Sequence, residues 1–409
     1  MSAEDLQRAA AVLIFAATYL VIALGRLPGF RLDRAGAALI GASLMVATGV
    51  IGLDEAYRAI DLDTIVLLLG TMIVVANLRL SGFFALVAAA VARRARRPVT
   101  LLAATILVSG FFSAFLVNDT ICLVLTPLVL ELLRALRRNP VPYLLAVAMA
   151  SNIGSAATIT GNPQNIMIGS FSHIAYGRFL AALAPVSLAG LVIVFLLIAA
   201  TYRKEMFGPP LSLAEPIPVR ANRPLARKAV AVTAAMVAAF FLVAPPAKVA
   251  IVAGALLLLT RRLKPARVYR EVDWSLLLLF AGLFIVVAGI EKAALSGDLL
   301  AAAARLRLAS VPVLSLVAAI LSNLVSNVPA VLVLKPFIAP LADQRTAWLA
   351  LAMASTLAGN FTILGSVANL IVVERARQAR VEIGFWTYFR LGAPVTVLTI
   401  LIGAWWLAR

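Results

Sequence analysis

Cysteine and histidine occur once each, as Cys122 and His173. One thiol excludes a disulfide framework. One imidazole leaves little from which to build a histidine metal site or a catalytic cluster. No phosphate loop, HExxH helix or nucleophile elbow is present. Charge is scarce as well: 13% of the 409 residues are Asp, Glu, Lys or Arg, against about a quarter in soluble domains. What charge there is leans one way, with 36 Lys and Arg against 18 Asp and Glu. These absences argue against an enzyme and against a soluble domain.

Apolar sequence fills the space. The chain is 63% hydrophobic, with a mean hydropathy of +1.02. Several runs approach the ~18–20 apolar residues that cross a bilayer, among them "AAAVLIFAATYLVIALG" and "AVAVTAAMVAAFFLVA". The expected class is an all-α polytopic membrane protein. Spans are expected at 9–25, 35–53, 61–77, 141–168 and 179–201, then at 229–244, 247–260, 273–290, 346–373 and 385–407. Apolar segments with a polar bend, 98–134 and 310–342, read as two-armed hairpins. Short amphipathic or interfacial helices are expected near 83–95 and 293–305.

The two sets resemble each other. "DLDTIVLLLGTMIVVA" from Asp61 aligns with "DWSLLLLFAGLFIVVA" from Asp273. "SAFLVNDTICLVLTPLV" from Ser113 aligns with "SNLVSNVPAVLVLKPFI" from Ser322. "AMASNIGSAATITGNPQN" from Ala148 aligns with "AMASTLAGNFTILGSVAN" from Ala352. Three blocks in order, at offsets of 212, 209 and 204 residues, indicate a duplication. Each half has an odd number of crossings whether its hairpin re-enters or spans, so the halves face opposite ways. An inverted-topology repeat of about five spans plus one re-entrant hairpin is a transporter architecture. The division reads 1–202, a linker 203–228, and 229–409.

Charge orients this plan. With the linker in the cytoplasm, loops on its side hold 25 of the 36 Lys and Arg, including "RLPGFRLDR" and "RRLKPARVYR". That is the positive-inside pattern. The net charge of +18 is then an orientation signal that meets anionic lipid, and no nucleic-acid partner is implied. A bacterial-type cytoplasmic (inner) membrane is the expected location.

Polar islands interrupt the spans. Non-helical backbone survives at bilayer depth only inside protein or beside a wet cavity. "TGNPQN" cannot be a continuous helix, because Pro163 removes a donor and disfavours helix at Asn162. The span breaks there, and its mate breaks at "AGNFTILGS", with GNPQN expected to be the sharper break. Half-helix ends bind ions, N-terminal ends favouring anions and C-terminal ends cations. Candidate binding groups are therefore Asn118, Asp119, Thr120, Asn152, Thr158, Gly161, Asn162, Gln164 and Asn165 in the first half. In the second they are Ser322, Asn323, Ser326, Asn327, Asn360, Thr362, Ser366 and Asn369. The bland alternative is that such groups only glue helices together. No metal site is expected.

Asp119 stands apart. An ionisable group at bilayer depth is a functional candidate by default, although an aspartate there can also cap a helix. Burial disfavours the charged form of a carboxylate, which makes Asp119 the candidate proton carrier. Its repeat mate is Val328, so the site is one-sided. Lys335 is expected to snorkel outward.

At these islands the chain resembles the ion transporter superfamily, which contains arsenite efflux permeases, sodium/proton antiporters and divalent anion/sodium symporters. "FLVNDTICLVLTPLVLEL" is similar to the arsenite-permease pattern, and "SNIGSAATITGNPQN" is similar to silicon-efflux permeases, which also carry GNPQN. The resemblance implies a scaffold part and a transport part in each half, with hairpin tips and broken helices meeting at the midplane. Dimers occur in related families, so a homodimer is implied. The symporter branch carries Ser-Asn-Thr at both tips, whereas here they read Val117-Asn118-Asp119-Thr120 and Ser326-Asn327-Val328. That departure speaks for proton over sodium as coupling ion. The expected activity is proton-coupled efflux of a small inorganic solute or oxyanion, such as arsenite or silicate, with no cofactor. The alternative is a sodium-coupled carboxylate or anion symporter, or a sodium/proton antiporter.

Overall fold

The computed structural model describes residues 3–25, 29–30, 32–211, 221–242, 245–294 and 307–409. Among the described residues the regular elements are all helical. The first half runs α1 (Ala3–Leu24), α2 (Arg34–Ala47), α3 (Leu53–Ala59), α4 (Leu62–Leu80), α5 (Phe83–Arg94), α6 (Pro98–Phe115), α7 (Asn118–Ala135), α8 (Val141–Ser155), α9 (Pro163–Ser172) and α10 (Tyr176–Thr201). A short α11 (Arg203–Met206) follows. The second half runs α12 (Arg223–Leu242), α13 (Pro246–Leu258), α14 (Pro265–Tyr269), α15 (Trp274–Ala294), α16 (Val311–Val325), α17 (Asn327–Ile338), α18 (Gln344–Leu357), α19 (Val367–Gln378) and α20 (Phe385–Leu407).

Among the described residues, 7 helices are long and apolar enough to cross a membrane: α1, α4, α6, α10, α12, α15 and α20. The chain is a polytopic membrane protein. Of the seven, α4 is the most interior, with 67% of its apolar window buried, against 28% for α1 and α12. The hairpins are α6–α7 and α16–α17, bent at Leu116-Val117 and at Ser326. The expected helix near 83–95 is α5, while that near 293–305 falls almost wholly outside the described residues.

Two expected spans are shorter than their sequence suggested. The segment 35–53 forms only the 14 residues of α2, and 247–260 only the 13 of α13. In the first, Thr48 Oγ1 donates back to the Leu44 carbonyl at 2.7 Å, and Gly49 at φ 74° turns the chain. Positive φ is nearly free for glycine and ends the helix there.

Packing repeats across the halves. α6 packs on α8 as α16 packs on α18, and α4 packs on α13 as α15 packs on α2. α10 packs on its own mate, α20. Two glycines at the same offset make the crossings close. A Cβ on Gly70 would stand 2.5 Å from the Ala250 backbone, and one on Gly282 2.7 Å from the Ala38 backbone. Real Cβ atoms do not approach backbone so closely. α2 and α13 can therefore lie directly against α15 and α4.

The ends of the linker are pinned on the side of the basic loops. Leu211 N–H donates to the Arg96 carbonyl and Asn222 N–H to the Ser81 carbonyl, both at 2.9 Å.

Overpacking of a tight crossing costs about 1–3 kcal/mol. Gly70→Ala and Gly282→Ala should each lower the thermal midpoint of detergent-purified protein. Gly177→Ala should not, because its Cβ would meet only the Phe241 ring at 3.5 Å. Equal midpoints for all three would contradict the crossing geometry.

Candidate functional site

Both long polar spans are broken. Between α8 and α9 the chain leaves helix at Ala156 and makes one 3-10 turn, Ile159–Gly161. Between α18 and α19 it makes two, Ala358–Asn360 and Ile363–Gly365. The second break is the longer although it lacks proline. The shared determinant is an asparagine. Asn165 Nδ2 donates to the carbonyls of Ser155 (3.1 Å) and Thr158 (2.9 Å). Asn369 Nδ2 donates to those of Gly359 (2.7 Å) and Thr362 (3.1 Å). All three positions correspond at the offset of 204. Each asparagine satisfies two carbonyls that the break released, so neither span depends on proline to stay open. In the first break Gly161 is required for space, since a Cβ there would stand 2.1 Å from the Ser155 oxygen.

The breaks are sewn to each other. Asn152 Nδ2 donates to Asn360 Oδ1 (2.9 Å) and Asn369 Oδ1 (3.0 Å). Its Oδ1 accepts from Asn118 Nδ2 and Ser366 Oγ, both at 3.0 Å. Thr356, the mate of Asn152, answers from the other side. Its Oγ1 accepts from Asn162 Nδ2 and Gln164 Nε2, both at 3.1 Å. Sequence reading passed over Thr356 because a threonine on an apolar helix is ordinary, although the offset of 204 from Asn152 marks it. The helices cross over in the same way. α7 packs on α19 and α9 packs on α17, so each half-helix after a break meets the other half's hairpin. GNPQN thus meets both hairpins: its 3-10 turn packs on α6 of the first and α9 on α17 of the second, with Asn118 and Asp119 lining one cavity with Pro163 and Gln164.

At this crossing lies a cavity of about 60 Å³. Its walls include Asn118, Asp119, Gln164, Ser326, Asn327 and Ser366 of the expected set, with Pro163, Val328 and Val367 beside them. These are the first residues or caps of α7, α9, α17 and α19, so four helix N-termini converge on one space. Each presents the positive end of a helix dipole, with Asn162 Oδ1 and Ser366 Oγ capping one amide each at α9 and α19. Asp119 also lies within reach of the Ala368 backbone amide, at the start of α19. Ser326 holds φ 78° and ψ 159°, a region essentially reserved for glycine and costing about 1–3 kcal/mol. The strain falls at the tip of the second hairpin, on the cavity wall.

The rest of the expected set lies behind this wall. Asn152, Asn162, Asn165, Asn360 and Asn369 are buried and tied as above. Thr362 takes part through its carbonyl. Thr158 Oγ1 donates to the Ala114 carbonyl. Ser322 Oγ donates to Asn327 Oδ1 at 2.6 Å and orients that wall residue. Asn323 Nδ2 donates to the carbonyls of Ala319 and Ala358. Thr120 is half-buried and does not reach the cavity. Cys122 is buried and free.

A second hollow, about 1360 Å³, opens away from the breaks among Tyr57, Arg58, Asp61, Glu291, Lys335 and Trp348. Lys335 ends there, 3.6 Å from Glu291 and 4.8 Å from the centroid of the Phe171 ring. It is larger but meets the break helices only at their far ends, at Ser170 and Phe171 of α9 and at Gln344 and Trp348 of α18, so the small cavity beside both breaks is the site candidate.

The citrate transporter family CitMHS matches residues 19–358. The chain belongs to this family. CitMHS membership makes it a membrane transporter and not an enzyme. Among curated relatives, an uncharacterized transporter of Mycobacterium tuberculosis is 33% identical over 419 residues, covering 96% of each chain. The silicon efflux transporter LSI3 of Oryza sativa subsp. japonica is 32% identical over 449 residues, covering 92% of each. The crystal structure of the YdaH transporter of Alcanivorax borkumensis matches with a TM-score of 0.58 at 16% identity, covering 99% of this chain and 97% of that one. At that identity the likeness concerns the fold alone.

The network predicts unequal costs in this CitMHS chain. Asn152→Ala leaves Asn118, Ser366, Asn360 and Asn369 each short of a partner, whereas Thr356→Val takes one from Asn162, Gln164 and Asn165. A buried group left unpaired costs about 1–3 kcal/mol. Thermal unfolding in detergent should rank wild type above Thr356→Val above Asn152→Ala. An Asn152→Ala protein as stable as wild type would contradict the network.

Proposed function

We propose that the chain is a proton-coupled secondary transporter that exports a small oxygen-rich solute, an oxyanion or metalloid hydroxy acid, through this cavity. The observation that carries the reading is the convergence of four helix N-termini and one carboxyl group, Asp119, on a single small cavity. N-termini attract negative charge or oxygen lone pairs. The space is several times the ~10–15 Å³ that one water needs and far below the ~300–1,000 Å³ of drug-sized pockets. A compact solute fits it.

Asp119 supplies the coupling. As a carboxylate it is itself an anion among the N-termini and competes with an incoming oxyanion. As a carboxylic acid it vacates that role and can donate a hydrogen bond. Solute occupancy and protonation are then linked through one group, as coupled binding requires. Sodium is disfavoured by the same geometry. The carbonyls that a cation would seek at the C-terminal sides of the breaks already accept from Asn165 and Asn369.

Two inverted halves, 1–202 and 229–409, joined by a cytoplasmic linker in a bacterial inner membrane, give the reading its alternating access. Export as the direction rests on likeness to the silicon efflux transporter. In proteoliposomes, Asp119→Asn should abolish flux driven by a pH gradient while leaving solute exchange across equal concentrations measurable. Unchanged proton-driven flux in that variant would remove Asp119 from the coupling step.

A further inference from the structure

Two ionisable side chains line the cavity, and Asp119 is one of them; the other is Arg34. It is the first residue of α2, after the cap Asp33. A cation in the first turn opposes the helix dipole, so helix stability does not account for it. Its repeat mate at the offset of 212 is Pro246, so Arg34 is as one-sided as Asp119. The guanidinium lies beside Gly25, at the end of α1, where a Cβ would stand 3.7 Å from Nη2. Among the described residues it forms no ion pair and no side-chain hydrogen bond. Five donors in a fixed fork are therefore left at the cavity wall, suited to two oxygens of one anion.

A second group on the wall points to the same ligand. Asn118 is 4% exposed, and its Oδ1 has no partner. The network fixes its orientation. Asn152 donates through Nδ2 to Asn360 and Asn369, so its Oδ1 must accept, and Asn118 must turn Nδ2 toward it. Oδ1 of Asn118 is thus a buried acceptor in want of a donor. A fully deprotonated oxyanion cannot supply one, but a protonated oxygen can.

We propose that Arg34 and Asn118 make this cavity selective for a compact oxyanion that keeps one hydroxyl, with Arg34 taking the charge and Asn118 the O–H. The proposal rests on the reading that the cavity is the solute site. It separates that site's candidates: a neutral hydroxy acid lacks the charge, and sulfate lacks the hydroxyl.

Ligand-induced thermal stabilisation of the purified full-length protein at pH 7 tests it, with inorganic phosphate, sulfate and silicic acid as probes. Wild type should respond to phosphate at a concentration roughly tenfold or more below that needed for the other two. Arg34→Gln should lose the phosphate response by a similar factor, and Arg34→Lys, which keeps the charge, should lose less. Arg34→Lys also serves if Arg34→Gln fails to fold, since its ratio of phosphate to silicic acid response should stay above one. A wild type that responds best to silicic acid, best to sulfate or to no probe overturns the proposal, as does an Arg34→Gln protein with an unchanged phosphate response. Asn327→Ala separates the two levels. If it abolishes the response while Arg34→Gln does not, the cavity stands and the role of Arg34 falls; if neither matters, both fall.

Discussion

A helix broken inside a membrane must find partners for the backbone it frees, because hydrocarbon offers none and each orphan costs several kcal/mol. Here two asparagines carry that burden. Asn165 and Asn369 each bridge two released carbonyls at equivalent positions of the two halves. With released carbonyls of both breaks taken by side-chain amides, the N-terminal ends of α9 and α19, capped at one amide each by Asn162 and Ser366, face the cavity. The polarity of the site follows from this asymmetry. A membrane span that pairs its carbonyls internally and leaves amides exposed presents a positive end to whatever enters.

The hairpins complete the arrangement by crossing between halves. α7 reaches α19 and α9 reaches α17, so the cavity belongs to neither half alone. Asn152 and Thr356 hold the crossing together through polar contacts in the interior, and each binds the opposite break. The site then becomes chemically lopsided. Asp119 and Arg34 both come from the first half and face Val328 and other apolar residues from the second. An internal repeat supplies the cradle, and departures from the repeat supply the charge. A symmetric site of asparagines and serines offers polar groups without net charge; on the proposed reading, one acid and one guanidinium give it a proton and a sign.

Much of this was legible in the sequence. The repeat offsets located both breaks and both hairpin tips. Asp119 was visible as an ionisable group far from any loop. Other features were hidden for physical reasons. Proline drew attention to the first break, yet the second is longer without one, because side-chain satisfaction and not ring geometry sustains it. Thr356 was invisible by residue type and visible only as the mate of Asn152. Arg34 was absorbed into the count of basic loop residues, where a cation needs no explanation; only its place at the cavity wall separates it from its neighbours. The crossing of hairpins between halves depends on tertiary packing that no local pattern encodes, and the close approach of α2 and α13 rests on Gly282 and Gly70, whose partners lie far away in the chain.

The central claim is that solute binds where the four helix N-termini meet. Cryo-electron microscopy of the full-length protein in lipid nanodiscs, with and without a saturating oxyanion such as phosphate, tests it most directly. The account predicts added density inside the small cavity, within hydrogen-bonding distance of Asn118 and Asn327. Density confined to the larger hollow around Lys335 and Glu291, with the small cavity unchanged, would contradict it.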